Sequence, residues 1–433
     1  MTKRILLVYV VLFLFSGSAG ADKAPLTLAD CYRLALKRSE DLAIKGDMIL
    51  ETEARFRQSL GSILPHFDYS YYYNWLDVSK SASAVSSSTS STATSSSYSP
   101  HYAERKFTLT QPLFSGFKEF AAMKASGIEK GQREDEKRRA EELLLLDVAN
   151  AFYLSMQQKR DLHILALTEK ALVQQIHYLK KRERLGRSRK SEVANTEASL
   201  YRLKAEIRAM ESSQDTARQL LEFLTGVMIS DITEVQKGVP LLENEETYTA
   251  KSKARPDVTA GEKAWKAAKE KVSVARSGLF PSLSFETNMY TERQRSVRGI
   301  DWDAVLQFDV PLFEGTQVWA LTDEANLKAH EAELAYVHTK RQAYWEIRDA
   351  YVAMRDGLLR VEAYKQAYRA AQKNYVLQKI DYRTNLVNNL DVLEALAVLM
   401  DARRDYLGAL YDTKRFYWQL RVAVGQVEMG EVA

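Results

Sequence analysis

The chain has 433 residues, with 61 Lys and Arg against 57 Asp and Glu, a formal net charge of +4 and one cysteine. So even a balance argues against an electrostatic grip on nucleic acid, and the lone Cys31 excludes an intramolecular disulfide framework. Beyond the first 21 residues no stretch approaches the about twenty uninterrupted apolar residues of a membrane-spanning helix, so helical membrane insertion is excluded.

Residues 1–21 carry Lys3 and Arg4, then the apolar run Ile5 to Phe15, then Ala19-Gly20-Ala21. This is the pattern of a secretory signal peptide, cleaved after Ala21. Leu28-Ala29-Asp30-Cys31 faintly resembles a lipid-attachment box. However, Asp30 is wrong beside a modified cysteine and Cys31 lies well past the apolar run, so Cys31 reads as a small residue on a helix face. From residue 22 to Leu60 the chain is mostly helix, with Leu28, Tyr32, Ala35, Leu42, Ile49, Phe56 and Leu60 on one side, until Leu64-Pro65 stops it. The period then changes to two: over 66–76, Phe67, Tyr69, Tyr71, Tyr73 and Trp75 alternate with mainly polar residues. A serine and threonine tract, Ser79 to Ser99, cannot form a core and is expected to be an exposed loop. A second strand follows over 105–113, with Phe107 and Leu109 against Thr108 and Thr110.

Pro112-Leu113-Phe114-Ser115-Gly116 opens a segment that is repeated from Pro311-Leu312-Phe313-Glu314-Gly315, 199 residues later, without a gap. In the second copy Ala343, Ile347, Ala350, Met354, Gly357 and Val361 step alternately by four and three, a coiled-coil period. Leu144, Val148, Ala151, Ser155, Gln158 and Leu162 hold the same phase in the first. Each copy therefore predicts a long helical hairpin, 117–225 and 316–424, bent near Arg184 to Lys190 and near Thr384 to Asn389. The first repeat spans 22–226. An inter-repeat linker, 227–254, carries Pro240 and the acidic patch Glu243 to Glu246, and the second repeat spans 255–425 with strands at 282–290 and 301–311. A tail, 426–433, ends the chain. Equal lengths over more than a hundred residues mean that length itself is constrained, since loops tolerate insertions freely.

Four strands of about ten residues with one aromatic face match a piece of an outer-membrane β-barrel. The competing reading packs the sheet on the chain's own helices, and helix periodicity alone fits a soluble coiled-coil rod. Four strands cannot close a barrel, and an open sheet in lipid leaves edge amides unpaired, so membrane insertion demands oligomerisation; three chains give twelve strands. No zinc, nucleophile or phosphate-loop motif stands out: the six histidines are scattered.

Together and in order, Leu26-Thr27-Leu28, Gln111 to Gly116, Arg255-Pro256-Asp257-Val258, Val310 to Gly315 and the hairpin Tyr382 to Glu394 make the chain resemble the outer membrane factor (TolC) family of trimeric envelope-spanning channels. The resemblance covers nearly the whole mature chain. It implies a mainly α fold with a β-barrel part: a homotrimer with a twelve-stranded outer-membrane pore and a periplasmic α-barrel, neither enzyme nor cofactor-dependent. It also implies two partners, a periplasmic adaptor and an inner-membrane transporter. Asp391 and Glu394 correspond to the carboxylates that ring the family's periplasmic entrance, and Tyr382 to a tyrosine that helps hold it closed, whose usual basic partner is here Val387. Asp401, Asp405 and Asp412 continue an acidic stripe that the resemblance places toward the lumen; a solvated helix face is the plainer reading. The resemblance makes Leu185-Gly186-Arg187 and Thr384-Asn385-Leu386 the adaptor-contact tips, where family members often have Val-Gly-Leu. Lys180, Lys181, Arg182, Arg184, Arg187, Arg189 and Lys190 make the first tip strongly basic.

Overall fold

The computed structural model of the chain describes residues 25–75, 101–234, 238, 242–293, 299–425 and 427. The signal peptide, the serine tract and most of the tail expected above lie outside them. The first helical stretch is two helices, α1 (Leu28–Arg38) and α2 (Glu40–Gly61). Thr27 caps α1 in a capping box with Asp30, which accounts for the Leu-Thr-Leu motif. Ser39 turns extended between the helices, and its hydroxyl accepts from the Leu42 amide at 3.4 Å, so one residue ends α1 and starts α2.

Strands β1 (His66–Trp75), β2 (His101–Ser115), β3 (Ser282–Arg293) and β4 (Trp302–Asp309) form one antiparallel sheet in chain order, with β1 and β4 at its edges and unpaired outward among the described residues. β2 runs longer at both ends than its apolar alternation marks, because ladder pairing with β1 and β3 continues past the last alternating side chain. The register aligns Tyr69, Phe107, Met289 and Trp302 in one row. The next row, Asp68, Thr108, Asn288 and Asp303, points to the opposite face. There the Thr108 hydroxyl donates to Asn288 Oδ1 at 2.8 Å, Asn288 Nδ2 donates to Asp303 Oδ1 at 2.9 Å and the Tyr290 hydroxyl donates to Asp303 Oδ2 at 2.9 Å. The aromatic face is bare: Phe67 is 68% and Trp302 67% exposed.

Helices α3 (Lys118–Arg184) and α4 (Lys190–Thr225) form the first hairpin, α7 (Gln317–Arg383) and α8 (Asn389–Val424) the second. Both long helices have 67 residues, both short ones 36, and each begins 199 positions after its counterpart. At 1.5 Å per residue the long helices reach roughly 100 Å. At the tips, Gly186 and Asn385 occupy equivalent left-handed positions, which those two residue types tolerate best. Between the hairpins run the short α5 (Glu245–Thr249) and then α6 (Pro256–Arg276), started by Pro256 at its first turn.

The helices lie side by side as a ladder. α2 and α4 flank one side of α3, α6 and α8 fill the space between α3 and α7, and α7 forms the far edge. Seam residues Val148, Ala151, Ile347, Ala350 and Met354 are fully buried. At the equator Arg255, 2% exposed, binds Asp257 through Nη2 at 2.5 Å and Nε at 2.7 Å, and Glu346 through Nη1 at 2.6 Å. It also reaches the Ala423 carbonyl at 3.3 Å, and Arg139 donates to the neighbouring Val422 carbonyl at 2.6 Å. Burial works to raise the Asp257 carboxyl, but its bonds to Arg255 outweigh it and hold the group below the usual carboxylate range. The Arg-Pro-Asp-Val motif is thus a buried knot joining the start of α6 to α7 and to the C-terminal end of α8.

Where α7 crosses α8, a Cβ on Gly357 would lie 2.9 Å from the buried Thr413 hydroxyl. Gly357→Leu should therefore cost about 1 to 3 kcal/mol through overpacking. Gly408→Ala, whose Cβ would meet only the end of the flexible Gln157 side chain at 3.4 Å, should be neutral or mildly stabilising. Thermal unfolding followed by circular dichroism distinguishes the two.

Candidate functional site at the hairpin tips

The chain's two hairpins meet near their tips through four polar links inside an apolar frame. Leu179, Val193, Tyr382 and Val392 form a buried cluster, with Tyr375 and Val387 packed against it. Tyr382, in the last turn of α7, presents its ring edge-on to Tyr178 at 6.3 Å between centroids, and the Arg182 guanidinium lies 5.0 Å over the Tyr382 ring. The Tyr382 hydroxyl points to Glu192 Oε2 at 3.5 Å, and that carboxylate also accepts a short bond from Ser188. Burial, reinforced by Glu192, raises the Tyr382 phenol above its ordinary value, so it stays neutral and donates. Arg182 Nη2 donates to Asn385 Oδ1 at 2.6 Å, tying the first tip to the second. A turn further in, Asn389, 1% exposed, accepts from Gln175 at 2.8 Å and donates to Thr196 at 3.0 Å.

Val387, standing where the resemblance leads one to expect a cation, is part of this apolar packing, and the cation beside Tyr382 comes from Arg182 of the first hairpin. In the sequence Arg182 is one of seven basic residues at that tip. Nothing in the sequence announces which of them turns inward; Tyr178, one helical turn earlier, is the one hint, as its ring and hydroxyl both meet Arg182.

The entrance carboxylates differ from each other. Asp391 sits in the first turn of α8 and closes a capping box: its Oδ2 accepts from the Asn388 amide at 2.8 Å while Asn388 Oδ1 accepts from Asp391 N at 3.1 Å. Glu394 is exposed one turn later, as are Asp401 and Asp405, while Asp412 makes a short ion pair with Arg415 and is half-buried. The stripe thus keeps free carboxylates at Glu394, Asp401 and Asp405, whereas Asp391 and Asp412 also have partners on their own helix. At the tips, Leu185, Gly186, Arg187, Thr384, Asn385 and Leu386 are all exposed, Leu386 to 75%. Among the described residues no group of three or more His, Cys, Asp or Glu is placed to hold a metal ion.

The family described as outer membrane efflux protein matches residues 32–227 and 250–426, most of the chain. The chain is 23% identical to the alkaline protease secretion protein AprF of Pseudomonas aeruginosa, over 95% of this chain and 87% of that protein. It is 22% identical to the outer membrane protein TolC of Vibrio cholerae, over 67% of this chain and 69% of that one. Among solved structures it resembles the outer membrane protein VceC of Vibrio cholerae with a TM-score of 0.77 at 19% identity, covering 92% of this chain and 96% of that one. CusC gives a TM-score of 0.78 at 18% identity, over 93% and 92% of the two chains. The chain belongs to the outer membrane efflux protein family, and is an outer-membrane channel protein of the TolC type with its helical part in the periplasm.

Proposed function

We propose that the chain is one third of an exit duct, a homotrimer that receives substrate from an inner-membrane transporter through a periplasmic adaptor and releases it outside the cell. One observation carries this reading: the sheet and the helical ladder are both left open, and at both of their edges. Among the described residues β1 and β4 have no strand beyond them. α7 exposes Trp319, Leu327, Leu334 and Trp345 at one end of the ladder, and at the other α2 exposes Ile44 and Leu50 while α4 exposes Tyr201 and Phe223. Head-to-tail contact between identical chains joins unlike edges and closes a ring. Two chains would give eight strands, a barrel whose interior side chains fill; twelve leave room for a lumen, onto which the Thr108, Asn288 and Asp303 face would turn.

A rod without a pore has no use for a bare aromatic sheet face. The relatives' names range from protease secretion to toluene and cation efflux, which fits one duct architecture serving different transporters. In the trimer Asp391 and Glu394 form two carboxylate rings at the periplasmic entrance, the exposed Asp401 and Asp405 extend them along the lumen, and the Tyr382, Arg182 and Asn385 links hold the tips together.

Planar-bilayer recording of the purified protein tests this. The wild type should give discrete, cation-selective openings. Asp391→Asn with Glu394→Gln should reduce cation preference and block by multivalent cations; an unchanged reversal potential in a salt gradient would argue against the rings. Arg182→Gln should raise open probability more than Tyr382→Phe, because it removes a charge-assisted bond to Asn385 as well as the cation over the ring. Equal, unaltered gating in both variants would remove the tips from channel closure.

A further inference from the structure

Between the tips and the equator, roughly 35 Å along α3 from its end, the first hairpin is fastened to α8 around one buried carboxylate. Asp161 of α3 is 6% exposed, and its Oδ1 is enclosed without a hydrogen-bond partner. Gln157 and Gln158, one turn earlier on the same helix, each enclose an amide oxygen that also lacks a donor. The groups that face Asp161 are Arg404 of α8 and Glu206 of α4, which join the two hairpins to each other by a short ion pair. Behind them Arg160 of α3 donates to the Tyr411 hydroxyl of α8, and Asp401, with Asp405 beside it, also draws on Arg404. One guanidinium thus serves several carboxylates, while three enclosed acceptor oxygens stand without a donor.

The internal repeat does not require an acid here. The position 199 residues on is Arg360, which is exposed and lies 5.7 Å over the Phe416 ring. Gln158 corresponds to Gly357, where α8 comes so near that a Cβ would lie 2.9 Å from Thr413. The seam around Asp161 is looser: on its tipward side a cavity of about 140 Å³, lined by Thr168, Leu172, Leu203, Leu396 and Met400, lies between the first hairpin and α8. Burial above all pushes the Asp161 carboxyl up to about 6; Arg404 opposes the shift and Glu206 adds to it.

We propose that Asp161 is the proton-binding centre of a fastening between the two hairpins, locked when its carboxyl is protonated and loosened when it is ionised. A proton taken from periplasmic water gives the carboxyl the O–H donor that the Gln157 and Gln158 amide oxygens lack, and leaves Arg404 to Glu206. Losing that proton places a charge inside the seam and makes Arg404 divide itself between two carboxylates. The folded chain holds this proton more tightly than an unfolded one, whose aspartates titrate near 3.9. The fastening is therefore strongest below about pH 4 and weakens as pH rises through about 6. Its effect on conductance rests on the duct reading: a tighter seam keeps α8, and the entrance carboxylates it carries, against the first hairpin and disfavours opening.

The full-length, detergent-purified protein is titrated from about pH 4 to about pH 8. Infrared spectroscopy follows the protonated-carboxyl band, and planar-bilayer recording of the same sample gives open probability. The difference between wild type and Asp161→Asn should contain one carboxyl per chain with a midpoint at about 6. Wild-type open probability should fall severalfold on acidification through that midpoint. Asp161→Asn, whose amide donates at every pH, should keep the low open probability throughout, and Asp161→Glu should restore a midpoint. Glu206→Gln should move the midpoint downward, because it removes a like charge and frees Arg404; it carries the test if Asp161→Asn does not assemble. No band near the expected midpoint, or a midpoint that persists in Asp161→Asn or stays in place in Glu206→Gln, overturns the fastening. So does a wild-type open probability that ignores pH, and a conducting trimer with any of these results leaves the duct standing. A sample that shows the band yet is neither trimeric nor conducting refutes the duct and supports the proton site.

Discussion

An edge strand facing lipid has no water to bond its free amides and carbonyls, and each unsatisfied group costs several kcal/mol. This constraint governs the molecule. A chain with four strands, an aromatic face and two open edges is stable in a membrane only when identical neighbours continue the sheet. The ladder repeats the problem in apolar terms, since α7 and the α2 and α4 pair keep large hydrophobic side chains in the open at opposite ends. In the proposed trimer one rotation meets both deficits, closing the sheet and the ladder together.

The repeat makes that closure geometrically possible. Hairpins of equal length end at the same height, so a ring of chains presents its tips in one plane. The lower ends are matched as well: Gly226 and Gly425 each turn left-handed after their helices, and a Cβ on either would lie 2.8 Å from an arginine side chain, Arg38 in the first copy and Arg255 in the second. The copies then diverge. Arg38 stays exposed beside Glu40, whereas Arg255 is buried among Asp257, Glu346 and the end of α8. A buried guanidinium whose partner was lost would be strongly destabilising, so this knot specifies one arrangement of α6, α7 and α8. At the opposite end the divergence is one of charge: Lys181 and Arg182 of the first tip stand where the second has Ile380 and Asp381.

Much of this is written in the sequence because it is periodic. Alternation of two and of seven reflects the backbone's own geometry, and an offset of 199 that carries Pro112 to Pro311 and Gly226 to Gly425 is read directly by matching the chain to itself; neither needs tertiary knowledge. What stayed hidden depends on a single side chain choosing between local and distant partners. Ser39 breaks the first helix because it caps the second, though nothing in the apolar spacing interrupts there. The Asn388 and Asp391 spacing is a capping-box signature that coincides with the entrance-carboxylate pattern, so one residue answers to two patterns at once. Arg182, Asn389 and Arg255 each act across 91 to 214 residues of chain, which no local pattern encodes.

The central claim is that this chain completes itself only in threes. Native mass spectrometry of the mature protein, extracted from outer membranes in mild detergent, measures that directly. The account predicts a single species of three chains with no stable monomer; a monomer or dimer as the predominant, lipid-extracted species would contradict it.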